Sequence, residues 1–317
     1  MCGNGNAYLH GKKIIRQKLI TITNLLGKAL RELLQNDPLR MAGATAFFTT
    51  FALPPILVIL IQTLKLILDP RTIRVELFKN LSEIIGPEAV RQLVSVLKSL
   101  NKLAENWYVT IAGFIFLLFV ATTLFKVIKS SINQLWSVRP QQKKDKFKDL
   151  RTRGQSLLVI LVAGILFVIG IMIESIRTII GNYIFEFSPL LSVYFNTFLN
   201  HLVSIIMVML WFVMVFRYLP DARPQWKIAF AGAFVTASLF TLGKIILHWL
   251  LTYSNINTLY GTSASIVLLL LFVFYSSLIL YYGAAFTKVW AAHKNKPILP
   301  LPYAMHYRLM EASSPGL

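Results

Sequence analysis

Residues 46–60 read AFFTTFALPPILVIL, an apolar run with Pro54 and Pro55 at its centre. Extended in both directions, the run covers about 41–66, and a helix needs roughly 20 apolar residues to cross a hydrocarbon layer about 30 Å thick. Proline lacks the amide donor and clashes with the preceding helical turn. We therefore expect a first membrane span that is kinked or interrupted around residues 52–55, with the freed carbonyls bonded by neighbouring helices, by water, or by Thr49 and Thr50.

Five more apolar blocks follow this run along the chain. Hydrophobic residues make up 56% of the 317 positions and charged residues 14%, a composition typical of integral membrane proteins. A backbone amide exposed to lipid has no partner, so each block is expected to be a helix. The sequence predicts an all-α polytopic membrane bundle, one domain over 41–290, with six spans at about 41–66, 107–127, 156–175, 200–219, 228–251 and 263–290.

The basic residues are distributed unevenly between the two ends of these spans. Of the 32 Lys and Arg, 23 fall in the N-terminal arm, the 2–3 loop, the 4–5 loop, the C-terminal tail and their flanks, 8 fall in the alternate loops, and Lys244 lies within a span. Loops rich in Lys and Arg stay in the cytoplasm, so both termini are predicted to be cytoplasmic. The net charge of +19 then reflects topology and attraction to anionic headgroups, and no nucleic-acid partner is expected.

Three segments lie outside the predicted spans. In the arm, 1–40, apolar residues recur at helical spacing among basic ones, which predicts an amphipathic helix either on the inner leaflet or against cytoplasmic loops; its apolar positions are Ile15, Leu19, Ile22, Leu26, Ala29 and Leu33. Residues 68–106 have a helical period broken at GPE, 86–88, which predicts a helical hairpin on the outer face, either capping a cavity or acting as a structural lid. The tail, 291–317, is expected to be cytoplasmic.

The loop between spans two and three, SVRPQQKKDKFKDLRTRG, is strongly basic. Each basic residue near an anionic surface contributes about 1 kcal/mol of attraction. The loop is therefore expected either to contact lipid headgroups or to act only as a topology determinant. The lysines predicted to make the headgroup contact are Lys143, Lys144, Lys146 and Lys148.

The sequence carries no motif of a known enzyme class. None of the five histidines is paired at metal-ligand spacing, and the acidic residues are scattered singly. There is no Walker loop, no GxSxG elbow and no glycine-rich dinucleotide turn. The single cysteine, Cys2, has no partner for an intrachain disulfide. We expect a protein without catalytic activity, metal or cofactor.

Polar residues within spans five and six outline a candidate substrate path. Thr241, Lys244 and His248 share one face of a helix because they are three and four residues apart. Tyr275 and Tyr282 share a face of span six, where Gly283, Ala284 and Ala285 permit close helix approach. Lys244 could instead extend to the headgroups, and the tyrosines could only pack. The predicted path consists of Thr49, Thr50, Pro54, Pro55, Thr241, Lys244, His248, Tyr275 and Tyr282.

Four stretches carry a family resemblance: DPLRMAGATAFFTTFALPPILVILIQ at 37–62, INQLWSV at 132–138, RYLPDARPQWKIAFAGAFVTASLFTLGKIILHWLLTY at 217–253 and YGTSASIVLLLLFVFYSSLILYYGAAFTKVW at 260–290. Together they resemble the YihY/BrkB family of bacterial inner-membrane proteins, over about residues 30–290. The family usually has tyrosines where this chain has Phe47 and Phe48. Its motif positions fall on Asp37, Ala42, Ala44, Ala46, Phe47, Phe48, Pro54, Asn133, Trp136, Pro220, Tyr260, Gly261, Gly283 and Ala284.

The resemblance implies six membrane helices in the bacterial inner membrane and no catalytic residue. Members are suspected of moving lipids or other envelope molecules. A ribonuclease label attached to the family finds no acidic or histidine cluster here. The prediction is a protein that binds or translocates a lipid or other amphiphilic envelope molecule along a polar path that includes the broken first helix. The alternative is a membrane scaffold, or a partner subunit of an envelope complex, whose hairpin and basic arm dock other proteins.

Overall fold

The computed structural model describes residues 20–64, 107–141, 189–253 and 264–307, with shorter groups of positions between 75 and 95 and between 161 and 173. These residues are mainly helical, which confirms the prediction of a helix-rich bundle. The described positions of predicted span three are also helical. The long helices are α1 (20–34), α2 (Pro38–Leu64), α3 (Trp107–Leu135), α4 (Pro189–Tyr218), α5 (Trp226–Tyr253) and α6 (Ala264–His293).

Several helices have an apolar outer surface. Within the described residues, Trp226–Ile246 and Val267–His293 are long and apolar enough to cross a membrane, and Leu202–Tyr218 is a shorter apolar helix. Phe47, Phe119 and Phe234, on α2, α3 and α5, are each 56% exposed. Large apolar side chains spread over the outside of several helices are unfavourable in water and suit contact with lipid.

Helix α6 lies in the middle of the described bundle. It packs against α2 on one side and α5 on the other, while α2 also packs on α3 and α5 on α4. The main core joins α3, α4, α5 and α6, and Trp136, Phe216 and Tyr281 are among its fully buried side chains. The hydroxyls of Thr45 and Tyr281 lie 2.5 Å apart across the contact between α2 and α6.

Two reciprocal glycine–threonine contacts bring α5 and α6 close together. A methyl group on Gly283 would overlap the Thr236 hydroxyl, and one on Gly232 would overlap the Thr287 hydroxyl. Each threonine donates to a glycine carbonyl on its own helix, Thr236 to Gly232 and Thr287 to Gly283, both at 2.7 Å. The prediction that Gly283 permits close helix approach is confirmed, with Gly232 as its counterpart on α5.

Four short strands lie at one end of the bundle, so the all-α prediction was wrong in this detail. β1 (Val138–Pro140) pairs antiparallel with β4 (Ala304–His306), and β2 (Ala222–Arg223) pairs antiparallel with β3 (Leu299–Pro300). The segment after α3 and the α4–α5 turn have backbone N–H and C=O groups that no helix pairs. The C-terminal residues form hydrogen bonds with these groups. The tail therefore packs on the bundle as far as residue 307. We call this end the strand end.

Helix α1 packs against α6 mainly through the predicted face, since Leu26, Ala29 and Leu33 belong to that face and Ile22 is its exposed exception. Leu25, Ala29 and Leu33 are buried, and the first two pack with Phe286 of α6. Ile22, assigned to the apolar face from the sequence, is 44% exposed. The buried side of α1 thus packs on a long bundle helix, while the predicted contact of the arm with the inner leaflet or with cytoplasmic loops stays a prediction.

Helix α2 runs without a break through the two prolines, so the prediction of an interruption was wrong. The helix is continuous from Pro38 to Leu64. Thr49 donates to the carbonyl of Thr45 at 2.7 Å, and Thr50 donates to that of Ala46 at 3.0 Å. These carbonyls lie one turn before the ones that the prolines leave without an amide donor. The threonines therefore do not compensate for the prolines as predicted.

The hairpin segment is helical at its described positions on both sides of residues 86–88. Leu77 and Leu93, one from each side, are buried with Leu57 of α2. Val90 packs with Leu269 and Phe272 of α6. The hairpin residues thus pack on the bundle away from the strand end, because Leu57 lies late in α2 and Leu269 early in α6. Its placement on the outer face of a membrane stays a prediction.

Candidate functional site

A buried charged cluster joins α3 to the turn between α4 and α5. The Asp221 side chain is 4% exposed, and Lys129 Nζ lies 2.8 Å from its Oδ1. Asn133 Nδ2 donates to Asp221 Oδ2 at 2.8 Å, and Asn133 Oδ1 accepts from the Asp221 backbone N–H at 2.9 Å. We call Lys129, Asn133 and Asp221 the polar latch.

The polar latch also holds the C-terminal chain, because the Leu301 N–H donates to the Asp221 carbonyl at 2.9 Å. Both carboxylate oxygens, the N–H and the C=O of Asp221 therefore have protein partners. Burying a carboxylate is costly without such partners. A carboxylate this fully bonded connects three parts of the chain and has little capacity left for a ligand.

Sequence reasoning found Asn133 through the family motif but missed its two charged partners. Lys129 and Asn133 are four residues apart on α3 and so lie on one helical face. Asp221 is the only acidic residue in the basic stretch RYLPDARPQWK. That isolation in a cationic segment was the available signal. Pro220, the predicted motif residue before it, is buried.

Trp136 connects the end of α3 to α6. Its side chain is 1% exposed, and Nε1 donates to the carbonyl of Ala284 at 2.9 Å. Ala284 follows Gly283, whose missing side chain makes room for Thr236. The structure thus brings the motif residues of α3, the α4–α5 turn and α6 to one region of the strand end.

Lys288 is a second polar hub at this end. Its Nζ donates to Glu32 Oε1 at 2.6 Å, to the Leu135 carbonyl at 2.8 Å and to Ser137 Oγ at 3.1 Å. These contacts tie α1, the C-terminal end of α3 and α6 together. An ammonium group at a helix C-terminus is also favoured by the helix dipole. Lys288 was not singled out from the sequence.

The opening motif residues shape the entry to α2 and its packing. Asp37 has φ of 52°, and its backbone carbonyl accepts the Met41 N–H at 3.2 Å, so the helical hydrogen bonds of α2 start at Asp37, with Pro38 in the first turn. Ala46 is buried and Ala44 half-buried. Phe47 faces outward, whereas Phe48 packs against the buried cluster of α2 and α3; that cluster is Ala52, Val120 and Leu124.

Three hydroxyl groups at one level of α5 and α6 lack partners elsewhere in the described bundle. The hydroxyl oxygens of Thr241, Tyr275 and Ser276 are buried and, apart from the interaction between the neighbouring Tyr275 and Ser276 hydroxyls, have no hydrogen-bond partner in the part of the chain that the structure describes. The Tyr275 ring lies against Gly243, which places α5 beside it at this level. Thr241 is 15 residues beyond Trp226, or about 22 Å along the helix. We call these three residues the hydroxyl level.

The other residues of the predicted path are dispersed. Lys244 is half-buried on α5, and His248 lies on the same helix with its side chain outside the described set. Tyr282 donates to the Leu26 carbonyl at 3.1 Å, so it belongs to the α1 contact and not to the hydroxyl level. Pro54 lies on the unbroken α2. Among the path residues whose side chains are described, Thr241 and Tyr275 lie at one level along the bundle.

Several predicted positions lie outside the described residues. These are the arm residues Ile15 and Leu19, the loop lysines Lys143, Lys144, Lys146 and Lys148, the motif residues Tyr260 and Gly261, and predicted span positions 65, 66, 156–160, 163, 164, 167, 171, 172, 174, 175 and 263. Within the described ranges, no three His, Cys, Asp or Glu side chains come together as a metal site.

Comparisons with known proteins agree with the motif assignment. A family model described as Virulence factor BrkB matches residues 29–302. A UPF0761 membrane protein of Chromohalobacter salexigens is 25% identical over 85% of this chain and 64% of its own. One of Mannheimia succiniciproducens is 26% identical over 80% of this chain and 85% of its own. One of Delftia acidovorans is 23% identical over 81% of this chain and 60% of its own.

The matched length differs between these relatives. The chain spans less than two thirds of the first and third proteins, so both have further sequence of their own. No solved structure matches the chain.

Proposed function

This chain belongs to the BrkB family of membrane proteins, and from that premise we propose that it binds or translocates a lipid or another amphiphilic envelope molecule. The proposal includes no catalysed reaction. The broken first helix has no part in it, because α2 is continuous. Its polar contact is the hydroxyl level of α5 and α6.

The three unpartnered hydroxyls carry the proposal. A buried hydroxyl without a hydrogen bond is destabilised by about 1–3 kcal/mol by mutational measures, so three at one level favour a polar occupant, either water or the polar part of a ligand. Hydroxyls donate and accept, which suits glycerol, sugar or phosphate oxygens. Lys244, one turn beyond Thr241 on α5, adds a positive charge that would favour an anionic group.

Near the strand end, a molecule moving across the membrane must pass beside the α5–α6 pair and not between the two helices. Gly232 and Gly283 bring the two helices together there, with no room for a methyl group at either position. A molecule with a polar head cannot pass between helices packed this closely. The hydroxyl level lies farther from the strand end on both helices, where the contact between α5 and α6 is made by the Tyr275 ring instead of the threonines.

We further propose that the strand end faces the cytoplasm from the bacterial inner membrane. Lys and Arg outnumber Asp and Glu among the described residues of this end, and the positive-inside tendency supports a cytoplasmic placement. A thiol reagent that cannot cross membranes would test this on a Lys296→Cys variant in intact cells. Labelling before lysis would contradict the orientation.

The functional test is movement of a fluorescent anionic phospholipid between leaflets of proteoliposomes that contain the purified chain. We expect faster movement than in protein-free vesicles. Tyr275→Phe and Ser276→Ala each remove one unpartnered hydroxyl and should slow movement about fivefold if a hydrogen bond of about 1 kcal/mol to the moving molecule is lost. Lys244→Ala should slow an anionic lipid more than a zwitterionic one.

Ser238→Ala is the matched control for Ser276→Ala. Ser238 is exposed on α5, and its hydroxyl donates to the Phe234 carbonyl at 2.9 Å, so its removal should leave the rate unchanged. A rate equal to that of protein-free vesicles, with the protein folded, would contradict lipid translocation. The scaffold alternative would then be the better account.

A further inference from the structure

We propose that the turn between α4 and α5 binds an anionic phospholipid of the surrounding bilayer, with its headgroup on three cations and one acyl chain along α5. The cations are Arg217, Arg223 and Lys227, which we call the basic corner. The acyl chain would follow Trp226, Phe230 and Phe234, which we call the apolar strip. This site is separate from the hydroxyl level and does not rest on the transport proposal.

Aromatic contacts hold the basic corner in place. The Arg217 guanidinium lies 4.3 Å from the centre of the Trp226 ring and donates to the carbonyl of Pro224. Arg223 lies 5.9 Å from the centre of the Tyr218 ring, and the Tyr218 and Trp226 rings are 6.4 Å apart. Stacking limits the motion of a guanidinium while leaving N–H donors at its edge for a phosphate.

The acidic residues of this region are turned away from the corner or already paired. Asp221, the closest acidic residue in sequence, is 4% exposed and paired with Lys129. The other described acidic residues are paired as well, Glu32 with Lys288 at 2.6 Å and Asp37 with Arg40 at 3.8 Å. In the described part of the chain, the corner therefore presents positive charge without an opposing carboxylate. The start of α5 at Trp226 adds the positive end of a helix dipole.

The apolar strip continues directly from this charge. Trp226, Phe230 and Phe234 are four residues apart along α5, and their exposed fractions are 44%, 38% and 56%. They lie on one side of the helix and extend about 12 Å from the corner. Tryptophan favours the membrane interface and phenylalanine the hydrocarbon below it. Cations followed by an aromatic and apolar row match the polar-to-apolar order of a phospholipid.

The positive charge of the basic corner and the length of the apolar strip together favour a lipid over a soluble phosphate. A free anion would contact only the basic corner and would not use the apolar strip, which is about 12 Å long from the helix rise. An anionic phospholipid uses both. Neutral lipids would contact the strip without the charge-assisted hydrogen bonds that guanidinium and phosphate make.

The test uses the full chain in nanodiscs of equal parts phosphatidylglycerol and phosphatidylcholine. The protein is released from the nanodiscs in a native mass spectrometer, and the lipid molecules that stay bound to it are counted. The Arg223→Gln, Lys227→Gln double variant should lower the preference for phosphatidylglycerol. Each removed cation should contribute about fivefold, from about 1 kcal/mol per basic residue near an anionic surface. Arg217 is left intact because its bond to Pro224 supports the turn.

The control double variant is Lys294→Gln, Lys296→Gln, which removes the same charge from the same end. Lys294 also lies over an aromatic ring, 4.9 Å from the centre of Trp290. We expect this control to keep the wild-type preference. An equal loss in both double variants would overturn the proposal in favour of a diffuse charge effect, and no loss in the corner variant would overturn it outright.

A second pair of variants tests the strip. Phe234→Ala should reduce retention of phosphatidylglycerol, whereas Phe119→Ala, which removes an equally exposed ring from α3, should not. Both side chains are exposed, so helical content by circular dichroism should stay unchanged. Displacement of the retained lipid by millimolar glycerol phosphate would overturn the lipid assignment and identify a site for soluble phosphate.

Discussion

Substituting Gly283 with alanine should destabilise the bundle by forcing α5 and α6 apart. The added methyl group would overlap the Thr236 hydroxyl, and it would lie 2.9 Å from Thr236 Cβ and 3.1 Å from Cγ2. Rotating Thr236 offers little relief, because a carbon and the hydroxyl both face the glycine. Thr236 is also fully buried, so the conflict must move backbone.

The magnitude follows from two opposing effects. Overpacking a tight core typically costs about 1–3 kcal/mol, and the short contacts to Cβ and Cγ2 place this site at the upper end. Alanine in a helix interior is favoured over glycine by about 0.5–1 kcal/mol. The expected net destabilisation is about 2 kcal/mol, which corresponds to roughly a thirtyfold change in the unfolding equilibrium.

A double-mutant cycle isolates the contact. Thr236→Ala removes the hydroxyl and Cγ2 that meet the new methyl group but keeps Cβ at 2.9 Å, so the Gly283→Ala, Thr236→Ala double variant should recover part of the loss. Gly43→Ala is the control, because a side chain at that helical position would meet nothing within 4 Å. It should be neutral or slightly stabilising.

The assay is reversible unfolding in mixed detergent micelles, followed by far-ultraviolet circular dichroism. The reasoning would be refuted if Gly283→Ala were as stable as Gly43→Ala. It would be refuted equally by a double variant no more stable than Gly283→Ala alone.

Two further predictions concern the polar contacts of the strand end, both measured by the same unfolding assay. Asp221→Asn should destabilise by about 3–5 kcal/mol, because a buried ion pair would lose one of its charges. A Lys129→Met, Asp221→Leu double variant should lose less, and the reverse order would contradict this account. Trp136→Phe should lose about 1–3 kcal/mol, because the Ala284 carbonyl would lose its indole donor, whereas unchanged stability would show that this bond contributes nothing.

The apolar blocks predicted the helices well because lipid leaves few alternatives to a helix. Predicted span five, 228–251, corresponds to the helix Trp226–Tyr253, and predicted span six, 263–290, corresponds to the helix Ala264–His293. The ends were less well predicted where a helix extends past its apolar block. Helix α3 continues to Leu135 rather than 127, because Lys129 and Asn133 are polar residues that bond within the protein instead of ending the helix.

Contacts between distant segments were beyond sequence reasoning. Helical spacing predicted an amphipathic α1 and placed Ile22 on the same face as Leu25 and Leu33, yet Ile22 is 44% exposed, and only the position of partners such as Phe286 decides how much of that face is buried. The strand pairs are two or three residues long, too short for an alternating pattern to be visible. Pro54 and Pro55 wrongly predicted an interruption because local helix rules weigh proline heavily, whereas the surrounding bundle supports α2 on both sides. The alternative that was predicted with it, a kink at the prolines, stays a prediction.

The distribution of contacts along α5 and α6 separates a rigid half from a half suited to binding. At the strand end, the two helices meet through Gly232 and Gly283 with satisfied threonine hydroxyls, and the polar latch fixes the adjoining turn to α3. Further along, the same helix pair presents the hydroxyl level without partners among the described residues. A well-bonded end can hold helix positions while the less satisfied level exchanges partners. For this reason the hydroxyl level, rather than the buried motif residues of the strand end, is where substitutions of buried side chains should alter binding without unfolding the protein.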